Sequence, residues 1–342
     1  MVGQIKEKIT SVTIEAPLNL RNDSKYAYYC REFFTYDILL YEHTNVYITN
    51  SGICFDRLGR LLPGSFMHLR RVKREQQKVA IYNLVFSKRK RLDWEKTYLV
   101  IHNQWSINGY YHWIVDSMSR LWSIKDKLQD LWLLLPDSAR QTGFIQGTLK
   151  YFDGLNIEYL EPNRIGYVHK LVLPSHLPYW GILRPDFLKQ FRDKILVKLP
   201  TSSSVKLIYI SRKNANRRKI VNEEDVMQML TEFGFEHYVL EKLSFDEQVI
   251  LFRQAKIVVS IHGAGLTNTI FMEEGTAIVE LLKEPKNSEK YLMEYQRLAF
   301  FFKLNFFALA SEPINKDASF DKADLLVNIQ ELRNVIINIL TK

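Results

Sequence analysis

Two short stretches of the sequence carry side chains whose types and spacing could do chemistry. In NGYYHWIVDSMSR (108–120), His112, Asp116 and Arg120 recur at i, i+4 and i+8, so a helix opening near Asn108 or Gly109 sets them on one face. Asp116 can then accept from one imidazole nitrogen and leave the other free as a base. In HGAGLTN (262–268), Gly263 and Gly265 let the chain turn sharply from a strand into a helix. The first amides of such a helix lack intrahelical acceptors and its dipole is positive at that end, which suits a diphosphate.

A third cluster adds charge. Arg212, Lys213, Arg217, Arg218 and Lys219 crowd the loop beyond the strand Lys206–Ser211. Arginine forks match phosphate oxygens and stabilise the charge that grows on a departing diphosphate. If the strands at 206–211 and 257–261 are parallel in one sheet, the cluster and the glycine turn share an edge. The strand Ala277–Leu282 returns Glu280 towards that edge, placed for a ribose diol. His262 can add a hydrogen bond, and Thr267 and Asn268 either bond phosphate or cap the helix. A solvated charge run and a tight packing turn would each explain one motif alone; their conjunction points to phosphate. Asn268 stands where the third glycine of the dinucleotide fingerprint belongs, which disfavours a nucleotide-dependent oxidoreductase.

The elements that must position these groups are read from the hydrophobic pattern. From about Ile9 to Val100 the chain reads as short β segments, among them TYDILLYEH, NVYITNSGICFD and VAIYNLVFS. They are interrupted by the basic clusters His68–Arg74 and Lys88–Arg91, which read as solvated hairpin surface or as a footing on anionic lipid. Strands at Thr97–Ile101, LWLLLP, NIEYL and KLVLP then alternate with helices at 141–152 and 186–198, the pattern of a doubly wound α/β domain. Pro200–Ser204 has linker composition. Beyond it, VKLIYISR, FEHYVLEKL and the strands at 257–261 and 277–282 alternate with helices. One of these is capped by Asn222 with Glu223, Glu224 and Asp225 in its first turn, and one opens with the capping box Ser244–Glu247. A last helix over 321–340 carries an apolar stripe. LAFFFKLNFFALA (298–310) reads as core or domain interface.

Whole-chain quantities set limits. At 342 residues, 46% apolar and 25% charged, the chain can fill two cores, and its net charge of +9 favours anionic partners. Cys30 and Cys54 are too few for a disulfide scaffold and lack zinc spacing. No D-x-D is present, so no metal is expected, and no zinc-finger or RNA-sheet pattern supports nucleic acid. No apolar run approaches the ~20 residues that span a bilayer, and a cytoplasmic protein is expected, with peripheral contact at the inner face of a membrane as an option.

Taken in order, NGYYHWIVDSMSRL (108–121), YISR (209–212) with Arg217-Arg218 and Asn222-Glu223, GF (234–235), LFRQA (251–255), HGAGLTN (262–268) and IVEL (278–281) resemble glycosyltransferase family 61. The resemblance implies an α/β chain of GT-B type, two Rossmann-like domains facing across a cleft. The N-terminal acceptor-side domain would cover 1–200, starting with extra β segments. The sugar-nucleotide domain would cover 201–342, its last helix able to pack back on the first. It also implies inverting, metal-independent transfer from a nucleotide-sugar, UDP-linked by expectation, to a glycan or glycolipid hydroxyl, as in capsular or surface polysaccharide synthesis. A non-catalytic glycan-binding or nucleotide-binding subunit is the alternative. In the catalytic reading His112 is the base oriented by Asp116, or Asp116 acts directly, with Arg120 supporting the acceptor side. Arg212, Arg217, Arg218, His262, Gly263, Ala264, Gly265, Leu266, Thr267, Asn268 and Glu280 hold the donor.

Overall fold

A computed structural model describes residues 10–14, 16–20, 31–35, 37–65, 70–176, 184–215, 217–283, 294–319 and 322–341. Expectations that fall on the first nine residues, Cys30, His68, Leu69 and Asp321 lie outside these. The chain divides into two compact units, Met1–Ser11 with Phe34–Phe191, and Val12–Phe33 with Arg192–Lys342. Strands β1 (Thr10–Ile14) and β2 (Arg31–Thr35) form a two-stranded sheet of their own.

The first unit holds β3 (Leu40–Ile48), β4 (Cys54–Phe55), α1 (Arg70–Phe86), β5 (Lys88–Arg91), β6 (Thr97–Leu99), α2 (Tyr110–His112), α3 (Met118–Trp122), β7 (Leu131–Pro136), α4 (Gly143–Leu149), β8 (Asn156–Leu160) and β9 (Arg164–Pro174). Its sheet runs β4-β3-β9-β6-β7-β8, with β5 beside β9. β5 to β9 pair in parallel, whereas β3 runs antiparallel to β9. Because β6 has β7 on one side and β9 on the other, the direction of winding reverses between β6 and β9. The crevice at their carboxyl ends is where such a sheet takes ligands.

Two sequence expectations change here. VAIYNLVFS is the end of α1, not a strand, because Gln76, Ala80 and Leu84 recur four apart. Ala80 is buried, and Val79 and Leu84 pack with it on Tyr47, Phe55 and Ile165 of the sheet; that packing outweighs the strand preference of the β-branched and aromatic residues around it. Arg70–Arg74 thus begin a helix, and Lys88–Arg91 are a paired strand rather than a hairpin surface.

The second unit is a sheet in the order β11-β10-β12-β13-β14-β15, formed by β10 (Lys206–Ile210), β11 (Phe235–Tyr238), β12 (Ala255–Ile261), β13 (Ala277–Lys283), β14 (Asn305–Pro313) and β15 (Leu325–Leu326). All pairs are parallel except β14 with β15. Its helices are α6 (Glu223–Thr231), α7 (Phe245–Arg253), α8 (Glu294–Phe301) and α9 (Ile329–Leu340), while α5 (Pro185–Leu196) contains the division between units. The first five strands have the 2-1-3-4-5 order of flavodoxin-like sheets, with the reversal between β10 and β12. Residues 298–310 span the end of α8 and most of β14, and Phe307 and Leu309 are core.

Three local readings shift. The 321–340 helix starts only at Ile329, capped by Asn328, whose side chain accepts from the Glu331 amide at 3.2 Å; Leu325–Leu326 pair with β14 instead. α9 packs its Leu332 and Ile336 into this unit's own core. FEHYVLEKL is a strand only to Tyr238, followed by a tight 3₁₀ turn at Leu240–Lys242. Asn222 stands at the start of α6, but its amide group bonds the backbone of Val327 in both directions, which pins the loop after β10.

The capping box is present as expected: the Ser244 hydroxyl accepts from the Glu247 amide at 3.3 Å, and the Glu247 carboxylate from the Ser244 amide at 2.7 Å. Ser244→Ala should therefore cost about 1 kcal/mol of stability, read as a lower urea midpoint with unchanged slope.

Candidate functional site

The 2-1-3-4-5 order brings the ends of β10 and β12 side by side, with Ile210 level with Ser260. Arg212 leaves one and His262-Gly263 the other. A Cβ built on Gly263 would overlap the Arg212 guanidinium, so the two stretches meet directly. This changes the reason for the glycine. Gly263 has an extended backbone, φ 178°, open to any residue; what it supplies is room. Gly265 likewise leaves room for Leu240, whose Cδ1 would lie 2.8 Å from an added Cβ.

Around this contact lies a compact group of ionisable side chains. His262 is buried, and its Nδ1 is hydrogen-bonded to a carboxylate oxygen of the fully buried Glu280. Glu280 therefore sits beneath the imidazole and orients it, rather than reaching out towards a ribose. Tyr295 of α8 stacks obliquely on His262, ring centroids 5.0 Å apart. Burial, then the nearby Glu294 and Glu280 charges, hold the Tyr295 phenol well above its usual range, while Arg218 and Arg212 pull the other way. Burial also lowers the Arg212 guanidinium below its ordinary value, opposed by Tyr295 and Glu241. Arg212 donates from Nη2 to the Arg217 carbonyl at 3.4 Å. Arg218 adopts a left-handed backbone, φ 58°, a conformation that costs roughly 1 kcal/mol and that the β15 pairing of Lys219 and Val221 holds in place.

The rest of the glycine turn is engaged internally. Residues Ala264–Phe271 form a 3₁₀ helix, and the Leu266 amide already donates to the Gly263 carbonyl at 2.9 Å. Thr267 and Asn268 are buried and neither caps the helix; Asn268 donates to Gln248 of α7 at 2.9 Å. Of the expected donor-binding groups, Arg212 and the start of the turn at Gly263 are in direct contact.

In the first unit the helix after β6 begins at Tyr110, behind Gly109, where any Cβ would press on the Trp105 carbonyl. His112 and Asp116 pair as expected, Nδ1 to Oδ2 at 2.8 Å, with side chains 30% and 14% exposed. From Trp113 to Ser117, a stretch that includes Asp116, the chain makes a π turn, which adds a residue to the helical turn and rotates α3 relative to His112. Arg120 consequently leaves the polar face. It is 1% exposed, and its guanidinium donates to the carbonyls of Val100, Ile101, His102 and Pro174, across the ends of β6 and β9. Rather than meeting an acceptor, it ties the reversal point of the sheet together.

Sequence reading missed three residues near these positions. His102 and His176 lie just past β6 and β9, and both are buried beside Arg120. Burial and the neighbouring cation push His102 down to about 3 and His176 well below its usual value. The strand-end logic applied to Arg212 would have found His102, directly after the apolar run YLVI. Tyr295 had no such signal, because α8 reaches the site only through the packing of its helix.

Residues 110–279 match the sequence model of the family described as Glycosyltransferase 61, and the chain belongs to that family. The match contains His112, Asp116, Arg212 and the 262–268 turn; Glu280 and Tyr295 lie beyond it. Over 109 residues the chain is 27% identical to the EGF domain-specific O-linked N-acetylglucosamine transferase of Drosophila melanogaster, covering 30% of this chain and 21% of that one. It is 32% identical over 108 residues to Protein O-linked-mannose beta-1,4-N-acetylglucosaminyltransferase 2 of Xenopus laevis, 31% of this chain and 18% of the other. Over 96 residues it is 32% identical to Beta-1,2-xylosyltransferase XAX1 of Oryza sativa subsp. japonica, 28% and 16% respectively. The aligned stretches thus span about a fifth of these relatives' length.

The neutral histidines give a pH dependence. A group whose folded pKa lies below its unfolded value of 6.5 makes the unfolded state the better proton binder, so stability falls as pH drops below 6.5. Between pH 6.5 and 5, above the usual carboxylate range, each such histidine should contribute a loss approaching about 1.4 kcal/mol per pH unit. Urea unfolding across that window should show the slope, and His102→Gln should flatten it.

Proposed function

We propose that this chain is an inverting glycosyltransferase that moves a sugar from a nucleotide-sugar to a hydroxyl of a glycan acceptor without a metal ion. The observation that carries the reading is the approach of Arg212 to Gly263 at the reversal point of a parallel sheet, inside a family 61 match. In this reading the two units form a GT-B pair, with the donor on the second and the acceptor on the first. The names of the relatives make N-acetylglucosamine and xylose the sugars to test first, and UDP is the carrier expected from the family resemblance.

The acceptor hydroxyl loses its proton to Nε2 of His112, while Asp116 accepts from Nδ1–H and stabilises the imidazolium that forms. Asp116 acting directly is the second possibility for the base. The acceptor oxygen bonds to the anomeric carbon as the bond to the β-phosphate breaks on the opposite face, which inverts the centre. Arg212 and Arg218 take up the charge left on the nucleoside diphosphate, a task that arginines can perform in place of a divalent cation. His262, fixed by Glu280, can donate to the same diphosphate.

Transfer should persist in EDTA, and activity lost with chelator and restored by manganese would overturn the metal-independent step. His112→Ala and Asp116→Ala should lower kcat by about a hundredfold or more with little change in UDP affinity. Arg212→Ala should weaken UDP binding by about tenfold. Because the overlapped group is the end of a flexible side chain, Gly263→Ala should fold normally yet weaken UDP by displacing Arg212. UDP-sugar binding without turnover on any glycan, by calorimetry and product analysis, would favour a binding subunit.

A further inference from the structure

Five large apolar side chains gather on the surface of the first unit. Leu58, Ile81, Tyr82, Val85 and Phe86 are between 51% and 71% exposed. The last four fill the outer face of the final two turns of α1, and the Tyr82 and Phe86 rings lie 5.0 Å apart. Leu58 joins them because the Gln77 amide group holds the Gly59 carbonyl, and Gly59 lies against Ile81 and Leu84. The opposite face of α1 is committed to the core through Gln76 and Ala80, so the helix cannot roll to hide this patch.

Cations surround it. Lys73, Arg74 and Lys78 are exposed one to two turns earlier on α1; Arg57 and Arg60 flank Leu58; Lys88 and Arg89 come directly after Phe86. Among the described residues interspersed with them, the acids are Glu75, at 3.1 Å from Lys78, and Asp56, at 2.7 Å from Arg60. These seven cations therefore stand against two carboxylates. A second copy meeting this face would oppose like charges, and a nucleic acid would leave Ile81, Val85 and Phe86 against phosphates. An anionic bilayer satisfies both halves, since branched and aromatic side chains enter the headgroup boundary while cations meet lipid phosphates.

We propose that the outer face of α1, with the turn at Leu58, docks this chain on an anionic lipid surface. The proposal is independent of the transferase reading, since docking needs no turnover. The test is sedimentation of the intact chain with vesicles of equal parts phosphatidylglycerol and phosphatidylcholine, against phosphatidylcholine alone. Binding should be about tenfold tighter to the anionic vesicles. The double variants V85S/F86S and R74E/K78E should each lose about tenfold, with urea midpoints unchanged because these side chains are exposed. Failure to sediment, equal binding to both vesicles, or undiminished binding by the variants would overturn the proposal. So would a wild-type dimer in sedimentation equilibrium that V85S/F86S converts to monomer, which would assign the patch to a second copy.

Discussion

The second unit depends on one close approach: a guanidinium resting on a residue with no side chain. Parallel pairing of β10 with β12 sets Arg212 and Gly263 at adjacent strand ends, and the missing Cβ lets them touch. The arginine is drawn partly out of water with no direct carboxylate bond among the described residues, and Tyr295 and Glu241 act on its charge at longer range. A cation held in this way keeps donors to spare for an anion. A direct carboxylate partner would have stabilised the arginine more and occupied the same donors.

The first unit uses the same topological place for the opposite purpose. Its winding also reverses, between β6 and β9, and an arginine also lies at the strand ends. Here Arg120 is enclosed, and its donors are spent on four backbone carbonyls. Three of those carbonyls, of Val100, Ile101 and His102, lie just past the end of β6, where the guanidinium supplies donors. Burial lowers Arg120 to about 10, partly offset by Cys54 and Asp116, and it stays charged. Burial, with that charge adding to it, lowers His102 and His176 below their usual value. The arginine of the first unit is thus structural and enclosed, whereas that of the second is only partly buried.

How far the sequence discloses this depends on the range of the interaction involved. Alternation of apolar strands with capped helices is local, so the α/β class and the strands at 206–210, 255–261 and 277–283 could be read directly. The capping box at Ser244 could be read for the same reason. The pairing of His112 with Asp116 was legible because helical spacing fixes it. Arg120 was not, since the π turn at Trp113–Ser117, which holds Asp116 itself, breaks the period that the reading assumed. Likewise α1 carries strand-forming side chains, and only the sheet face beneath Ala80 decides for helix. Glu280 was placed at the correct edge, yet its partner was a neighbouring imidazole, a choice made by cross-strand register that no spacing rule contains.

The histidines show why residue type alone could not assign roles. His102 and His176 are walled in beside a cation and are held neutral, so they cannot exchange protons near neutral pH. His262 is buried on a buried carboxylate and stacked by Tyr295, an arrangement that fixes the orientation of its ring. His43 and His237 are bonded to Pro63 and Thr231, and burial lowers both. His169 bonds Asn45 and is stacked on Trp94. Among the described histidines, His112 alone combines a carboxylate on one nitrogen with a partly exposed side chain. On the proposed reading a base must be oriented and reachable, and those two requirements favour a helix face that comes directly after a buried strand.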